Sequence, residues 1–182
     1  MKLLLIRIMM FFSRVYSNLM YQYCKLTGNI SDVEDFDILL AEVENFNPEE
    51  FQDYIRENFT YQADGWVDYS KHYLQFMYDE KGDCDDFAHL CAKLLERMGF
   101  DNVHLITVMA DSNFGHAICV AEKNGKVYGF GNWRLIHFPS NDLREMGNHT
   151  LTIWKGWRPD IGQLSFVLKF DSEWNYIDSI FE

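Results

Sequence analysis

Thiol chemistry needs a sulfur that ionises easily, a base close to it, and a group that orients the base. Three residues of this chain have the types and settings for that work. Cys84 stands at the start of a strongly periodic helical pattern, where unpaired N–H groups and the helix dipole favour a thiolate. His116 opens a strand pattern after Gly115, and Asn132 ends the strand that pairs with it. The order is Cys, His, Asn, drawn from three separate elements. The Cys84 backbone N–H is the first candidate donor to an oxyanion, with Tyr61 or Gln62 as the second.

The elements that must position these residues can be read from periodicity and punctuation. The nucleophile helix runs from Cys84 to Met98, with Phe87, Ala88, Leu90, Cys91, Leu94, Leu95 and Met98 as a wide apolar stripe and Gly99 as its stop. His89 should point away from the sulfur. Asp83, Asp85 and Asp86 crowd the helix start, where the dipole favours anions but where negative charge also raises a thiol's pKa. Upstream, Ser31-Asp32-Val33-Glu34 has the form of a capping box ahead of Phe36, Leu39, Leu40 and Val43. Asn47-Pro48-Glu49-Glu50 starts a further helix with Phe51, Tyr54 and Ile55 on one face, ending before Tyr61.

After Gly99 the period changes to that of strands. Val103 to Met109 is one; His116 to Ala121 and Val127 to Gly131 form a hairpin about Asn124-Gly125. Leu151 to Trp154, Ser165 to Phe170 and Trp174 to Ile180 are read as further strands. Helices followed by an antiparallel sheet make an α+β pattern. The hairpin turn decides the third catalytic position. A two-residue Asn124-Gly125 turn pairs His116 with Trp133 and puts Asn132 on the opposite face. A three-residue Lys123-Asn124-Gly125 loop with a bulge pairs His116 with Asn132.

Gly82-Asp83-Cys84-Asp85-Asp86-Phe87-Ala88, followed by Leu94-Leu95 and Gly99-Phe100, resembles the nucleophile helix of the bacterial transglutaminase-like cysteine proteinases. Gly115-His116-Ala117 is similar to that family's Gly-His-Ala strand, and Tyr61-Gln62-Ala63-Asp64 to its Tyr-x-x-Asp stretch. The resemblance spans roughly residues 55 to 135. It implies a papain/transglutaminase-like fold, with N-terminal helices and the nucleophile helix packed on an antiparallel sheet. It also implies a Cys–His–Asp triad for peptide or amide acyl chemistry. The chain departs from the family at the third member: Phe130-Gly131-Asn132 stands where the family has Leu-Asp-Asn, which puts Gly131 at the acid's position. An Asn orienter is known in papain-like enzymes, so the sequence favours the three-residue loop and a Cys84–His116–Asn132 triad. Branches of the family bind calcium through acids flanking the nucleophile, and Asp83, Asp85 and Asp86 match them; no cofactor is otherwise required.

Composition bounds the rest. A length of 182 residues, 48% hydrophobic, is enough for one domain with its own core. The expected division is an apolar helical segment over residues 1–30 and a single transglutaminase-like domain over 31–182. A net charge of −12 argues against nucleic acid as a partner, and the resemblance implies a protein or peptide substrate. Cys24, Cys84, Cys91 and Cys119 have no Cys-x-x-Cys spacing, so they are read as reduced thiols and not as a zinc site. The start, MKLLLIRIMMFF, is too short to span a bilayer; it is either a helix packed on the domain or a targeting or membrane-surface segment, and residues 1–12 are a candidate for membrane association. A cytoplasmic setting is the expectation. Trp154, Trp157 and Trp174 either pack the core or line a cleft. The expected activity is a thiol hydrolase of the cysteine peptidase or amidase kind. Acyl transfer to an amine and a binding module on a degenerate site are the alternatives.

Overall fold

The computed structural model describes residues 2–63, 69–112 and 114–181, with side chains from Phe12 onward. The first helix, α1 (Lys2–Thr27), is followed by α2 (Val33–Val43) and α3 (Pro48–Asn58). Short strand β1 (Thr60–Tyr61), helix α4 (Tyr73–Asp79) and short strand β2 (Lys81–Gly82) lead into α5 (Cys84–Arg97). Then come β3 (Asp101–Ala110), β4 (Gly115–Lys123), β5 (Lys126–Phe130), β6 (Ile136–Phe138), α6 (Leu143–Lys155), β7 (Leu164–Phe170) and β8 (Tyr176–Phe181). The architecture is α+β: six strands in the order β6-β5-β4-β3-β7-β8, all neighbours antiparallel, with helices on both faces.

The period-2 alternation of the central strands builds the two faces. From β4, Ala117, Cys119 and Ala121 point to the face covered by α2 to α5. Their small side chains leave room for α5, which brings its own Ala88, Cys91 and Ala92 to the same core. Ile118 and Val120 point the other way, to a second core closed by Leu143, Met146 and Leu151 of α6. Gly147 sets how closely α6 can lie on β7, since a Cβ there would come 2.5 Å from a methyl of Val167.

Each helix start follows from its residues. Asp32 caps α2 in a reciprocal box with Asp35, one residue later than the Ser31–Glu34 pair that the sequence suggests, because Asp32 and Asp35 supply the same geometry with shorter side chains. Asn47 and Glu50 form the box of α3, with Pro48 at the first turn. Leu151 to Trp154 is not a strand. It is the last part of α6, whose buried Leu143, Met146, Gly147, Thr150 and Leu151 keep the helical period behind an Asp142 cap. α4 has no counterpart in the sequence reading; its seven residues are too few for a clear period.

The β4–β5 hairpin closes through two residues. Lys123 pairs with Lys126, and Asn124 and Gly125 have φ of +53° and +73°, a type I′ pattern whose twist matches the strands. The favoured three-residue loop therefore does not form. All four cysteines are free thiols, as the spacing indicates.

Candidate active site

Local chemistry fixes the start of α5. Asp83 is the N-cap, its carboxylate accepting the N–H of Asp85 at 3.3 Å, while Asp86 reaches back to the Asp83 N–H at 3.1 Å. The other Asp86 oxygen accepts the N–H of Lys71 at 2.6 Å. Asp86 has no exposed surface, and burial pushes its carboxyl up to about 7 against the pull of those two N–H groups. Gly82 is needed beside it, because a Cβ at that position would lie 2.8 Å from the Asp86 Cβ and overlap its carboxylate. Gly82, Asp83 and Asp86 thus each have a geometric reason, and Cys84 falls on the first helical residue.

A second layer holds this turn in place. His89, one turn further along α5, has its Nδ1 3.0 Å from the Lys71 carbonyl, so Nδ1 carries the hydrogen and donates it. The Lys71 ammonium donates to the Lys81 carbonyl at 2.7 Å and pairs with Asp79 at 2.9 Å. Lys71 therefore ties the chain ahead of α4 to both α5 and β2, a role with no signal in the sequence pattern. β1 lies parallel to β2, with Tyr61 opposite Gly82 and the Gln62 N–H donating to the Gly82 carbonyl at 2.7 Å. Tyr61 and Gln62 are exposed next to the turn that carries Cys84. The Gln62 backbone donor is already used, so any donation from Gln62 to a substrate would come from its amide side chain. Asp64, the last residue of the Tyr-x-x-Asp stretch, lies outside the described residues.

The Cys84 sulfur, half-buried, is 3.4 Å from the backbone N–H of Ala117, the residue after His116. That contact joins the helix start to the strand carrying the second candidate. Ala117 faces α5, so the His116 side chain leaves the strand on the opposite face. Its ring packs on Trp154 of α6 at 4.6 Å between centroids and, with Gly131, Trp133 and Arg134, borders a small hollow at the end of β5. Trp133 stacks in turn on Trp154 and Trp157, and Arg134 lies over the Trp133 ring at 4.5 Å. His116 is 6% exposed, and burial lowers its pKa to about 4, so the imidazole is neutral at physiological pH.

Pairing of β4 with β5 ends at Cys119–Phe130, so Asn132 lies just beyond the ladder. The two-residue turn sets a register in which His116 runs toward Trp133 and not Asn132. Asn132 has a buried Oδ1 with no hydrogen-bond partner. The segment that carries it is held by a residue that sequence reasoning missed. Gln52 of α3, 1% exposed, accepts the Gly131 N–H at 3.0 Å and donates to the carbonyls of Gly131 at 2.7 Å and Trp133 at 3.1 Å. Its signal was a polar residue between Phe51 and Ile55 on the apolar side of a helix, where a polar group needs a partner.

Asp83, Asp85 and Asp86 each offer an oxygen within 4.8 Å of the others. Asp86 is committed to two backbone donors and Asp83 to the cap, which accounts for both acids as parts of the helix start. Asp83 and Asp86 thus fit a helix cap better than the shell of six to eight oxygens that calcium takes.

Two outcomes follow. Gln52→Glu keeps the acceptor for Gly131 but turns the donor toward two carbonyls into an acceptor; urea unfolding should show a loss of about 1–3 kcal/mol or more. Acid should also destabilise the fold. His72, His89, His104 and His116 are all held down to about 4 by burial, against an ordinary value of 6.5, so between those values the unfolded chain binds more protons. Their contribution is complete above about 6.5 and is lost as pH falls toward 4. Asp86 works in reverse: raised from 3.8 to about 7, it favours the fold at low pH and loses that effect as pH rises through 7. Four groups outweigh one, so the urea midpoint should fall steadily from pH 7 to pH 4.5.

Comparison with known proteins agrees with this architecture. No curated protein matches the chain. A family model described as a transglutaminase-like domain matches residues 7–153, which run from within α1 to the last turn of α6. With most of its length matched, and Cys84 leading a buried helix against the strand of His116, the chain belongs to the transglutaminase-like family.

Proposed function

We propose that the protein is a thiol enzyme that forms an acyl-enzyme on Cys84 from a peptide or amide substrate and releases the acyl group to water. The observation that carries this reading is the meeting of Cys84 at the first residue of α5 with the β4 strand beside His116. Membership of a family that is generally enzymatic supports it. In this reading the Cys84 thiol passes its proton to the neutral His116 imidazole, and the sulfur attacks the carbonyl carbon. The oxyanion takes hydrogen bonds from the Cys84 N–H, at the start of α5, and from Tyr61 or Gln62. His116 returns the proton to the leaving amine, then takes one from the water that splits the thioester. Asn132 carries a buried Oδ1 without a hydrogen-bond partner, and orienting the imidazole would require that oxygen and His116 to come to the same side of the sheet. In the structure the ring lies across the strand from the sulfur, so reaching it requires a change in the backbone of the first residues of β4 and not a side-chain rotation alone.

Acyl transfer to an amine uses the same nucleophile and differs only in what attacks the thioester. A second reading has its own observation: His116 points away from α5 and Gly131 stands where the family's acid would be, as expected for a binding module on a site that has lost its chemistry. A peptide and amide substrate screen separates these readings. The hydrolase reading expects turnover that falls by about 10³-fold or more in Cys84→Ala and by about 10²- to 10⁴-fold in His116→Ala. Incorporation of a labelled primary amine in place of hydrolysis marks a transferase. Full turnover by Cys84→Ala on a confirmed substrate would sink both catalytic readings.

A further inference from the structure

Helix α1 divides into three faces. Met20, Tyr21 and Cys24 turn toward the body of the protein; Tyr21 stacks on His72 at 4.1 Å and Cys24 is buried. Tyr16 meets the edge of Tyr69 at 5.1 Å, and the Arg14 guanidinium donates to Asn175 at 2.6 Å. Next to that docked side runs a polar strip of Arg14, Asn18, Gln22 and Lys25. The third face is apolar and open to solvent. Phe12, Val15, Tyr16, Leu19, Tyr23 and Leu26 recur at spacings of three and four residues, within a stripe about 100° wide. Leu19 is 63% and Leu26 86% exposed.

The charge of this helix is unlike that of the rest of the chain. Residues 2–27 contain Lys2, Arg7, Arg14 and Lys25 and no acid, although the whole chain carries −12. We propose that α1 seats the protein on an anionic phospholipid surface, its apolar stripe in the boundary between headgroups and acyl chains and its net positive charge drawing it to that surface. Opposite charge selects this occupant. A second copy of α1 would set two cationic helices against each other with no acid on either to balance them. An anionic bilayer supplies the counter-charge along the whole helix, and interfacial depth suits Phe and Tyr together with Leu. In this proposal α1 lies in the surface plane, because its other side is docked on the body of the protein through Tyr21 and Cys24. Anchored through His72, it would hold the segment that includes Lys71, and with it the start of α5, at a fixed orientation to the bilayer.

The test is co-sedimentation of the full chain with vesicles of phosphatidylcholine alone and of phosphatidylcholine with about one-third phosphatidylglycerol. Binding to the anionic vesicles should be at least about tenfold stronger than to the neutral ones and should weaken with salt. A Leu19→Ser/Leu26→Ser double variant should lose at least about tenfold of that binding with an unchanged melting temperature, since both side chains stand in water. No binding to either vesicle, or equal binding to both, overturns the proposal. So does a concentration-dependent dimer that the double variant abolishes without any lipid binding, which would assign the stripe to helix pairing. None of these readouts depends on Cys84.

Discussion

The buried carboxylate of Asp86 is the constraint on which the candidate site depends. Its two oxygens take the N–H groups of Asp83 and Lys71, and so bind the first turn of α5 to the chain that precedes α4. Removing a carboxylate from water costs several kcal/mol unless such donors replace the lost hydration. The raised pKa of Asp86 is the remainder of that cost. What the fold gains is position: Cys84 is placed on the first helical residue with its sulfur against β4. Gly82 follows from the same carboxylate, because no side chain fits beside it.

A second clamp acts from a neighbouring helix. Gln52 holds the backbone of Gly131 and Trp133, and therefore the loop bearing Asn132, with three hydrogen bonds from inside the core. The two clamps come from α5 and α3, which share one face of the sheet. His116 lies on the other face, neutral and packed on Trp154. The site thus has rigid edges at Cys84 and at the loop, and a histidine whose ring occupies the α6 face of the sheet. A neutral imidazole is the form that can accept a proton from a thiol, whereas a preformed imidazolium partner would demand a more polar setting.

Much of this was legible in residues alone. The α5 stripe with Gly99 as its stop, the caps at Asn47 and Asp83, and the α+β order all come from local chemistry that a sequence carries in full. The hairpin turn was not, because Asn124-Gly125 suits both a two-residue and a three-residue loop, and the choice rests on how the twist of two long strands is accommodated. Leu151 to Trp154 was misread for a related reason: β-branched and aromatic residues favour a strand over four positions, and only the longer period from Leu143 identifies the helix. Gln52 and Lys71 act through backbone groups distant in sequence, so no spacing rule points to their partners. The face taken by His116 is likewise a matter of register and packing on α6.

The central claim is that Cys84 and His116 work as a chemical pair. It is tested most directly by the rate of iodoacetamide alkylation at Cys84, followed by peptide mass spectrometry across pH 5 to 9, in the parent chain and in His116→Gln. If the pair operates, Cys84 reacts faster at pH 7 than a free small-molecule thiol, and His116→Gln removes that advantage. If Cys84 reacts no faster than the free thiol and His116→Gln leaves its pH profile unchanged, the two residues do not act together and the account is contradicted.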